Sequence, residues 1–384
     1  MNKLKNQNQK VVILGAGLIG RMLAVSLSHN ESGYDVTLMD QDDGSANQSA
    51  AYLAAAMLAP VSESVEASES IMRMGKHALD LWPKFIQRLA EPVFFQKQGT
   101  IALAHHADLM HLHDFKRLLK DQSNEAIQTL NAQTLKQLEP AFENPARVFN
   151  NALYLPEEGQ LDNRQLLKSM ATTLQQNGVD WQFNQQLDFA QNPQHLDQLQ
   201  QDYDWVIDCR GLGAKTDIIT PDQLRGVRGE VLRVHAPEVD LQRPIRLMHP
   251  RYPIYIAPKE NHHFVIGATQ IESEDKRQPT VRSCLELLSS CFSIHPGFAE
   301  AEVLEIKSGL RPTLSHNEPK IWMRENLIRV NGLFRHGYLL APTVLEQCLA
   351  LITHSEQTLP FDDMLVSRLN GALEQHDLKE SHYG

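Results

Sequence analysis

The chain has 384 residues, 42% hydrophobic and 22% charged, which is ordinary for a globular protein but too long for one domain, so we expect two intertwined domains. The formal net charge of −11 argues against a nucleic-acid partner, because phosphate binding needs a concentrated basic surface. No segment approaches the roughly twenty apolar residues that span a bilayer, so we expect a cytoplasmic protein without an integral membrane segment.

The first predicted elements form a βαβ unit. Residues 11–14 (Val-Val-Ile-Leu) are a short apolar run typical of a buried parallel strand, and a helix with an apolar packing face follows them. Residues 36–39 are predicted to form the second strand. A strand, a helix and a second strand within about thirty residues are typical of a parallel sheet.

A glycine-rich turn joins the first strand to the first helix. In such a turn Gly15 permits the tight bend, Gly17 lets a pyrophosphate approach the backbone, and Gly20 lets helix and strand pack closely. Asp40 ends the second strand, where a carboxylate can accept hydrogen bonds from a ribose. The acidic residues that follow disfavour a 2′-phosphate, and therefore NADP. This motif predicts a dinucleotide site but does not decide between FAD and NAD.

The elements predicted after the βαβ unit change in character along the chain. Apolar residues recur at helical spacing over 64–89, where Pro83 is expected to break the helix. From residue 227 onward, strands joined by turns indicate an antiparallel sheet. In chain order we predict strands at 93–95 and 100–103, a mostly helical stretch at 107–140, a helix at 166–176, strands near 181 and at 205–207, strands at 227–234, 254–256 and 264–266, a hairpin turn at 259–262, a helix at 282–292, a strand at 327–330 and a final long helix from about 339.

Further motifs lie at 54–60 (Ala-Ala-Ala-Met-Leu-Ala-Pro), 158–162, 205–211, 255–258, 264–269, 309–312 (Gly-Leu-Arg-Pro) and 332–342. Together they resemble the D-amino-acid oxidase family of FAD-dependent oxidoreductases, and in particular its glycine oxidases of the thiamine-biosynthesis type. The resemblance covers nearly the whole chain in the right order, and the last two motifs are the most specific. It implies FAD as the cofactor.

The resemblance also implies a fold class and a domain organisation. We expect an α/β protein with a Rossmann-like FAD-binding domain and a second, mainly antiparallel-sheet substrate domain. The FAD-binding domain would be discontinuous. The predicted boundaries are 1–90, 151–222 and 305–384 for the FAD-binding domain, and 91–150 and 223–304 for the substrate domain.

Three residues are implied to be catalytic. Arg311 would bind the substrate carboxylate, since a planar guanidinium can pair bidentately with it; a purely structural ion pair is the alternative. Tyr255 would present its hydroxyl to the same carboxylate, unless it is only a half-buried strand residue. Arg335 would lie near flavin and substrate, unless it is a surface arginine at a helix start.

The implied FAD contacts extend beyond the glycine-rich turn. A small-residue loop would run along the flavin, with Ala56 where the family usually has glycine. Amide donors at the start of the last helix could stabilise negative charge on the reduced flavin. The predicted contacts are Gly15, Ala16, Gly17, Leu18, Ile19, Gly20, Asp40, Ala55, Ala56, Met57, Leu187, Gly211, Gly309, His336, Gly337, Tyr338 and Leu339.

No metal site is predicted, because the four cysteines are scattered and the paired histidines at 105–106 and at 111 and 113 point in different directions on a helix. Gln270, Leu333 and His336 depart from the family's usual residues, which leaves the exact substrate open. FAD is expected to be noncovalent, because no Cys or His lies in an attachment motif.

The implied reaction is oxidative deamination of glycine, or of sarcosine or D-alanine. Hydride would pass from the alpha-carbon to the flavin, water would hydrolyse the imine to an oxo acid and ammonia, and oxygen would reoxidise the flavin to give hydrogen peroxide. Thiamine biosynthesis is the expected context, and homo-oligomerisation stays open. Three alternatives remain: a D-amino-acid dehydrogenase that passes electrons to a quinone, a flavin-dependent tRNA-modification enzyme, and a flavin-binding protein without turnover.

Overall fold

The computed structural model of the protein describes residues 8–29, 32–122, 127–144, 146, 148–217, 223–249, 253–353 and 360–368. The outer ends of the predicted FAD-binding domain, residues 1–7 and 369–384, lie outside these ranges. The division into two domains stays a prediction. Among the described residues, no helix combines the length and the hydrophobicity needed to cross a bilayer.

The strands and helices are numbered here in chain order. The strands are β1 (Gln9–Leu14), β2 (Tyr34–Met39), β3 (Met57–Leu58), β4 (Phe95–Gln96), β5 (Thr100–Leu103), β6 (Gln128–Asn131), β7 (Asn151–Leu155), β8 (Gly159–Leu161), β9 (Asp180–Gln182), β10 (Trp205–Asp208), β11 (Arg225–His235), β12 (Ile245–Leu247), β13 (Ile254–Pro258), β14 (His263–Gly267), β15 (Glu302–Thr313), β16 (Lys320–Arg324), β17 (Leu327–Asn331) and β18 (Val366–Arg368). The α-helices are α1 (Leu18–Leu27), α2 (Ala50–Leu53), α3 (Pro60–Glu63), α4 (Glu69–Ile86), α5 (Leu109–Gln122), α6 (Ala132–Leu138), α7 (Asn163–Gln176), α8 (Pro193–Asp202), α9 (Val281–Ile294), α10 (Gly337–Ile352) and α11 (Asp362–Leu365).

A seven-stranded sheet contains the predicted βαβ unit. Its strand order is β18-β16-β17-β10-β1-β2-β9, and the strands from β17 to β9 all run parallel. Helices α1, α4, α7 and α10 pack with one another and contribute most of the largest apolar core. The parallel sheet explains why β1 is a continuous apolar run, because its Val11–Leu14 segment is fully buried.

An eight-stranded sheet forms the second layer, with the order β15-β11-β14-β13-β12-β5-β7-β6. Neighbouring strands are antiparallel except β12 and β5, which run parallel. Directly opposed residues share one face of a sheet. The register therefore places Val231, Gly267, Tyr255, Arg246 and Ala102 in one row on the same face. A small sheet of β3, β8 and β4 accompanies the two large ones.

The observed elements confirm the α/β class and most predicted segments, but some predictions were wrong. Pro83 does not break its helix: α4 continues to Ile86, because Trp82 is buried and its Nε1 donates to Tyr338 O over 3.0 Å. The 107–140 stretch contains strand β6, which pairs with β7. The Gly-Leu-Arg-Pro motif at 309–312 lies in β15, and its proline is tolerated because β15 is an edge strand. Several observed elements had no counterpart among the predicted ones: strands β3, β7, β8, β12, β15, β16 and β18 and helices α2, α3, α8 and α11.

We predict that Gly20→Ala destabilises the protein by about 2 kcal/mol or more, because a Cβ at Gly20 would overlap the carbonyl oxygen of Gly15 and force the backbone to shift. Gly17→Ala is the matched control in the same turn, since a Cβ there meets no atom within 4 Å. Urea unfolding would measure both. Equal midpoints for the two variants would contradict the close packing of helix and strand.

Candidate functional site

A cavity of about 990 Å³ lies where the first βα turn faces one face of the eight-stranded sheet. A volume of this size is typical of a ligand or cofactor site. The residues predicted to be catalytic, Arg311, Tyr255 and Arg335, all line it. The predicted FAD contacts line it as well, except Gly20, which instead packs on the Gly15 carbonyl group.

The nucleotide end of the cavity is formed by the glycine-rich turn. Gly15 has φ +96°, and a Cβ there would lie 2.7 Å from Cys209 O, so glycine is required both for conformation and for space. Gly17 is the N-cap of α1 and has no side-chain cap, which leaves the first amide groups of the helix available to an anion. Asp40 stabilises this turn by accepting hydrogen bonds from the backbone N–H groups of Ala16 and Asp42.

A buried cation beneath this turn was missed by the sequence analysis. Arg21 lies in the otherwise apolar helix α1 and donates to the carbonyl groups of Ala16, Leu167 and Gly44 over 2.8, 2.9 and 2.6 Å. Burial lowers its pKa to about 10. Its isolation within an apolar helix was the signal that could have identified it. Arg21 fixes the backbone around the turn.

The small-residue loop at 54–57 forms one wall of the cavity. Ala56 has φ +52°, in the left-handed region that favours glycine. The buried Lys259 Nζ donates to Ala55 O over 3.0 Å, Leu161 O over 2.8 Å and Gln160 Oε1 over 3.0 Å. Burial lowers the pKa of Lys259 to about 7. The loop is therefore bound to the eight-stranded sheet through a side chain that the sequence analysis did not single out.

Arg311 lies on edge strand β15, and its half-buried side chain forms part of the cavity wall. It donates to the carbonyl groups of Arg228 and Thr269 over 3.3 and 3.2 Å. Within the part of the chain that the structure describes, it forms no ion pair with a carboxylate. Gly229 provides the space for the guanidinium, because a Cβ there would overlap it. This arrangement exposes a positively charged donor to the cavity.

Tyr255 lies near Arg311 on the same face of the sheet. Its side chain passes over Gly267, where a Cβ would lie 2.8 Å from the Tyr255 hydroxyl oxygen. Burial raises the pKa of Tyr255, although the neighbouring Arg311 opposes that shift, so the hydroxyl remains a hydrogen-bond donor at neutral pH. That hydroxyl has no hydrogen bond to any described residue and lines the cavity.

Arg335, unlike Arg311, forms ion pairs with carboxylates. Its Nε lies 2.7 Å from Glu63 Oε2, and its second ion pair is with Glu66 at 2.6 Å. Arg246 and His336 also approach Glu63, at 3.6 and 3.4 Å. Burial alone would raise the pKa of Glu63, but Arg335, His336 and Arg246 together lower it to about 2. Burial lowers the pKa of His336 to about 4, so this imidazole is neutral at pH 7.

The Glu63 cluster contains residues that sequence reasoning did not find. Glu63 and Glu66 follow the small-residue loop directly, and Arg246 interrupts the apolar strand β12. Gln270, noted only as a departure from the family, accepts a hydrogen bond from Arg335 over 3.3 Å. Among the described residues, no group of three or more His, Cys, Asp or Glu side chains is arranged to hold a metal ion.

Comparisons with known proteins place this chain among flavin-dependent oxidoreductases. The sequence model of the family described as FAD dependent oxidoreductase (DAO) matches residues 10–344. A Rhizobium etli protein named as a thiamine biosynthesis oxidoreductase, ThiO, is 35% identical over 349 residues, which cover 91% of this chain and 98% of that protein. The glycine oxidase of Geobacillus kaustophilus is 25% identical over 353 residues, covering 86% and 89% of the two chains. The crystal structure of glycine oxidase from Bacillus cereus has a TM-score of 0.72 at 21% identity, covering 92% of this chain and 100% of that chain.

We predict that Ala56→Gly stabilises the protein by about 0.5 kcal/mol, because relief of the left-handed strain outweighs the added entropy of the unfolded chain. Ala55→Gly is the matched control. Ala55 is buried and, unlike Ala56, does not have a positive φ. Ala55→Gly should therefore destabilise the protein by about 0.5–1 kcal/mol. Chemical unfolding measures both, and a lower midpoint for Ala56→Gly than for Ala55→Gly would contradict the strain at Ala56.

Lys259 should make stability depend on pH. Its pKa is about 7 in the folded protein and 10.5 in the reference state, so between these values the folded chain binds fewer protons than the unfolded chain. The free energy of unfolding therefore rises with pH over this window, by up to about 1.4 kcal/mol per pH unit.

Urea unfolding of wild type and Lys259→Met from pH 7 to 10 tests this. The stability difference in favour of wild type should grow as pH rises. Lys97→Met is the control, because Lys97 is exposed and pairs only at the surface with Asp80. A difference between wild type and Lys259→Met that stays constant with pH, as for Lys97→Met, would show that Lys259 titrates normally.

Proposed function

Because the chain belongs to the family of FAD-dependent oxidoreductases, we propose that it oxidatively deaminates glycine or another small amine acid, such as sarcosine or D-alanine. The products are an oxo acid and ammonia, or methylamine in place of ammonia when sarcosine is the substrate. The proposed context is thiamine biosynthesis, which the name of the Rhizobium etli relative supports. The observation that carries the proposal is the half-buried Arg311 guanidinium. It lines the cavity with no carboxylate partner among the described residues.

The residues of the cavity fit FAD. The uncapped N-terminus of α1 and the open space at Gly17 suit a pyrophosphate. The wall at 54–57 has only short side chains beside Met57, so a flat ring system can approach its backbone. The N-terminus of α10, at Gly337, supplies amide groups at the other end of the cavity. When bound, FAD accepts the hydride that leaves the alpha-carbon of the substrate.

The chain's own contribution to the reaction is to orient the substrate. Arg311 pairs with the substrate carboxylate, and Tyr255 donates its hydroxyl to the same group. Both side chains project from strands of one sheet, which would fix the orientation of the bound carboxylate. Arg335 borders the same space, and its pairing with Glu63 keeps it in position. No strong base is needed, because the neutral amine of the substrate assists hydride departure.

A visible spectrum of the purified protein and anaerobic addition of glycine, sarcosine and D-alanine test this function. We expect a flavin spectrum that bleaches with at least one of these amine acids. Admission of oxygen should restore the colour with stoichiometric hydrogen peroxide, since we propose oxygen as the electron acceptor. Bleaching with reoxidation by a quinone but not by oxygen would replace the oxidase by a dehydrogenase. A flavin that no amine acid bleaches would refute the enzymatic proposal.

We predict that Arg311→Met lowers kcat/KM for the preferred amine acid ten- to a hundred-fold, because a charge-assisted pair of about 1.5–3 kcal/mol is lost. FAD content should not change. Arg225→Met is the control, since Arg225 lies two residues before Val227, the strand neighbour of Arg311, but outside the cavity, where it pairs with Glu272. Unchanged kinetics in Arg311→Met would remove Arg311 from the substrate site.

A further inference from the structure

The cavity continues beyond Tyr255 into a polar recess that the oxidation of glycine does not use. Ser62, Thr100, Glu158 and Arg246 line this recess, and each is at least nine-tenths buried. They come from separate parts of the fold: helix α3, strands β5 and β12, and the turn before β8. Buried polar side chains normally satisfy one another, so their hydrogen bonds show whether this recess is purely structural.

The polar groups of the recess are incompletely paired. Glu158 Oε1 accepts from Ser62 N over 2.6 Å, but Glu158 Oε2 has no partner among the described residues. Arg246 Nε is likewise buried without a partner there, and its only described ion pair is the 3.6 Å contact with Glu63. The hydroxyls of Ser62 and Thr100 lie close enough to Glu158 to influence its pKa, yet neither makes a well-formed hydrogen bond. A ligand with a second polar group would satisfy these atoms.

The charges around the recess favour an anion. Three guanidinium groups, those of Arg246, Arg311 and Arg335, border this space, and Arg335 forms close ion pairs with Glu63 and Glu66. Arg311 has no carboxylate partner among the described residues, and Arg246 has only the 3.6 Å contact with Glu63. A substrate with one carboxylate at Arg311 leaves Arg246 in that state, whereas a second carboxylate would pair with Arg246.

Glu158 also borders the recess. Burial is the largest effect on its carboxyl group and raises its pKa, against the opposing effects of Ser62, Thr100 and Arg246. Its Oε2 has no partner among the described residues, so it is a buried polar atom that a bound ligand would satisfy.

Resting on the function proposed above, we propose that the preferred substrates carry a second carboxylate, which Arg246 binds while Arg311 binds the first. The register supports this geometry, because Arg246 lies directly opposite Tyr255 on the same face of the sheet. Arg311 lies on this face as well, because its strand partner Val227 precedes Val231 by four residues, and both arginines line the cavity with Tyr255. Arg246 would thus be the residue that determines specificity, and its test must separate second-carboxylate binding from general folding.

The test uses two inert carboxylates of similar size and the FAD-loaded enzyme. Diglycolate has a carboxylate at each end, whereas propoxyacetate replaces one carboxylate by an ethyl group. Neither carries an amine that could be oxidised. Perturbation of the visible flavin spectrum measures their dissociation constants. We expect wild type to bind diglycolate at least tenfold more tightly than propoxyacetate, because only diglycolate reaches both arginines.

The same titrations with Arg246→Gln and Arg225→Gln assign the preference to a residue. Arg246→Gln should lose it, whereas Arg225→Gln, which removes the same charge outside the cavity, should keep it. Equal affinities of wild type for the two ligands would overturn the proposal even if Arg246→Gln did not fold. Persistence of the preference in folded Arg246→Gln would overturn it as well. If glycine bleaches the flavin and the preference is absent, only this inference fails; if no amine acid bleaches it, the proposed function fails.

Discussion

The cavity depends on the 54–57 loop, which buried side chains of the eight-stranded sheet hold in place. Lys259 Nζ binds the carbonyl groups of Ala55 and Leu161, and Arg233 donates to Asn163 Oδ1 over 2.8 Å. Carbonyl groups in a loop without regular pairing need donors when they are buried. Because these donors come from the same sheet face as Tyr255, the loop and the substrate-binding side chains are positioned by one rigid element.

Sequence patterns predicted the parts of the fold that depend on residues close together in the chain, such as tight turns and alternating strands. The turn at Gly15 has a positive φ, and Gly20 packs against the backbone, as tight βα turns require. The antiparallel strands around Lys259 were recognisable from their alternation and turn residues. The departure at Ala56 also had a physical basis, because its φ of +52° is one that glycine adopts more readily.

Features that depend on contacts between distant residues were not predictable in this way. The Gly-Leu-Arg-Pro motif contains a glycine and a proline, which are rare inside strands, and only its pairing with β11 shows that Arg311 lies on a strand. Pro83 is retained within α4 because distant packing of Trp82 stabilises the helix end. The pairing of Glu63 with Arg335 joins residues far apart in sequence, and no local pattern contains that information.

The contrast between Arg311 and Arg335 indicates how the protein divides its buried charge. Arg335 is paired with Glu63, so its desolvation is compensated within the folded chain. Among the described residues, Arg311 is compensated only by two carbonyl groups, and burial lowers its pKa. Leaving a partly desolvated guanidinium without an anion destabilises the fold, and core packing elsewhere must offset that loss. An anionic ligand recovers this loss on binding, so a cation of the wall without a carboxylate partner is suited to recognise a carboxylate.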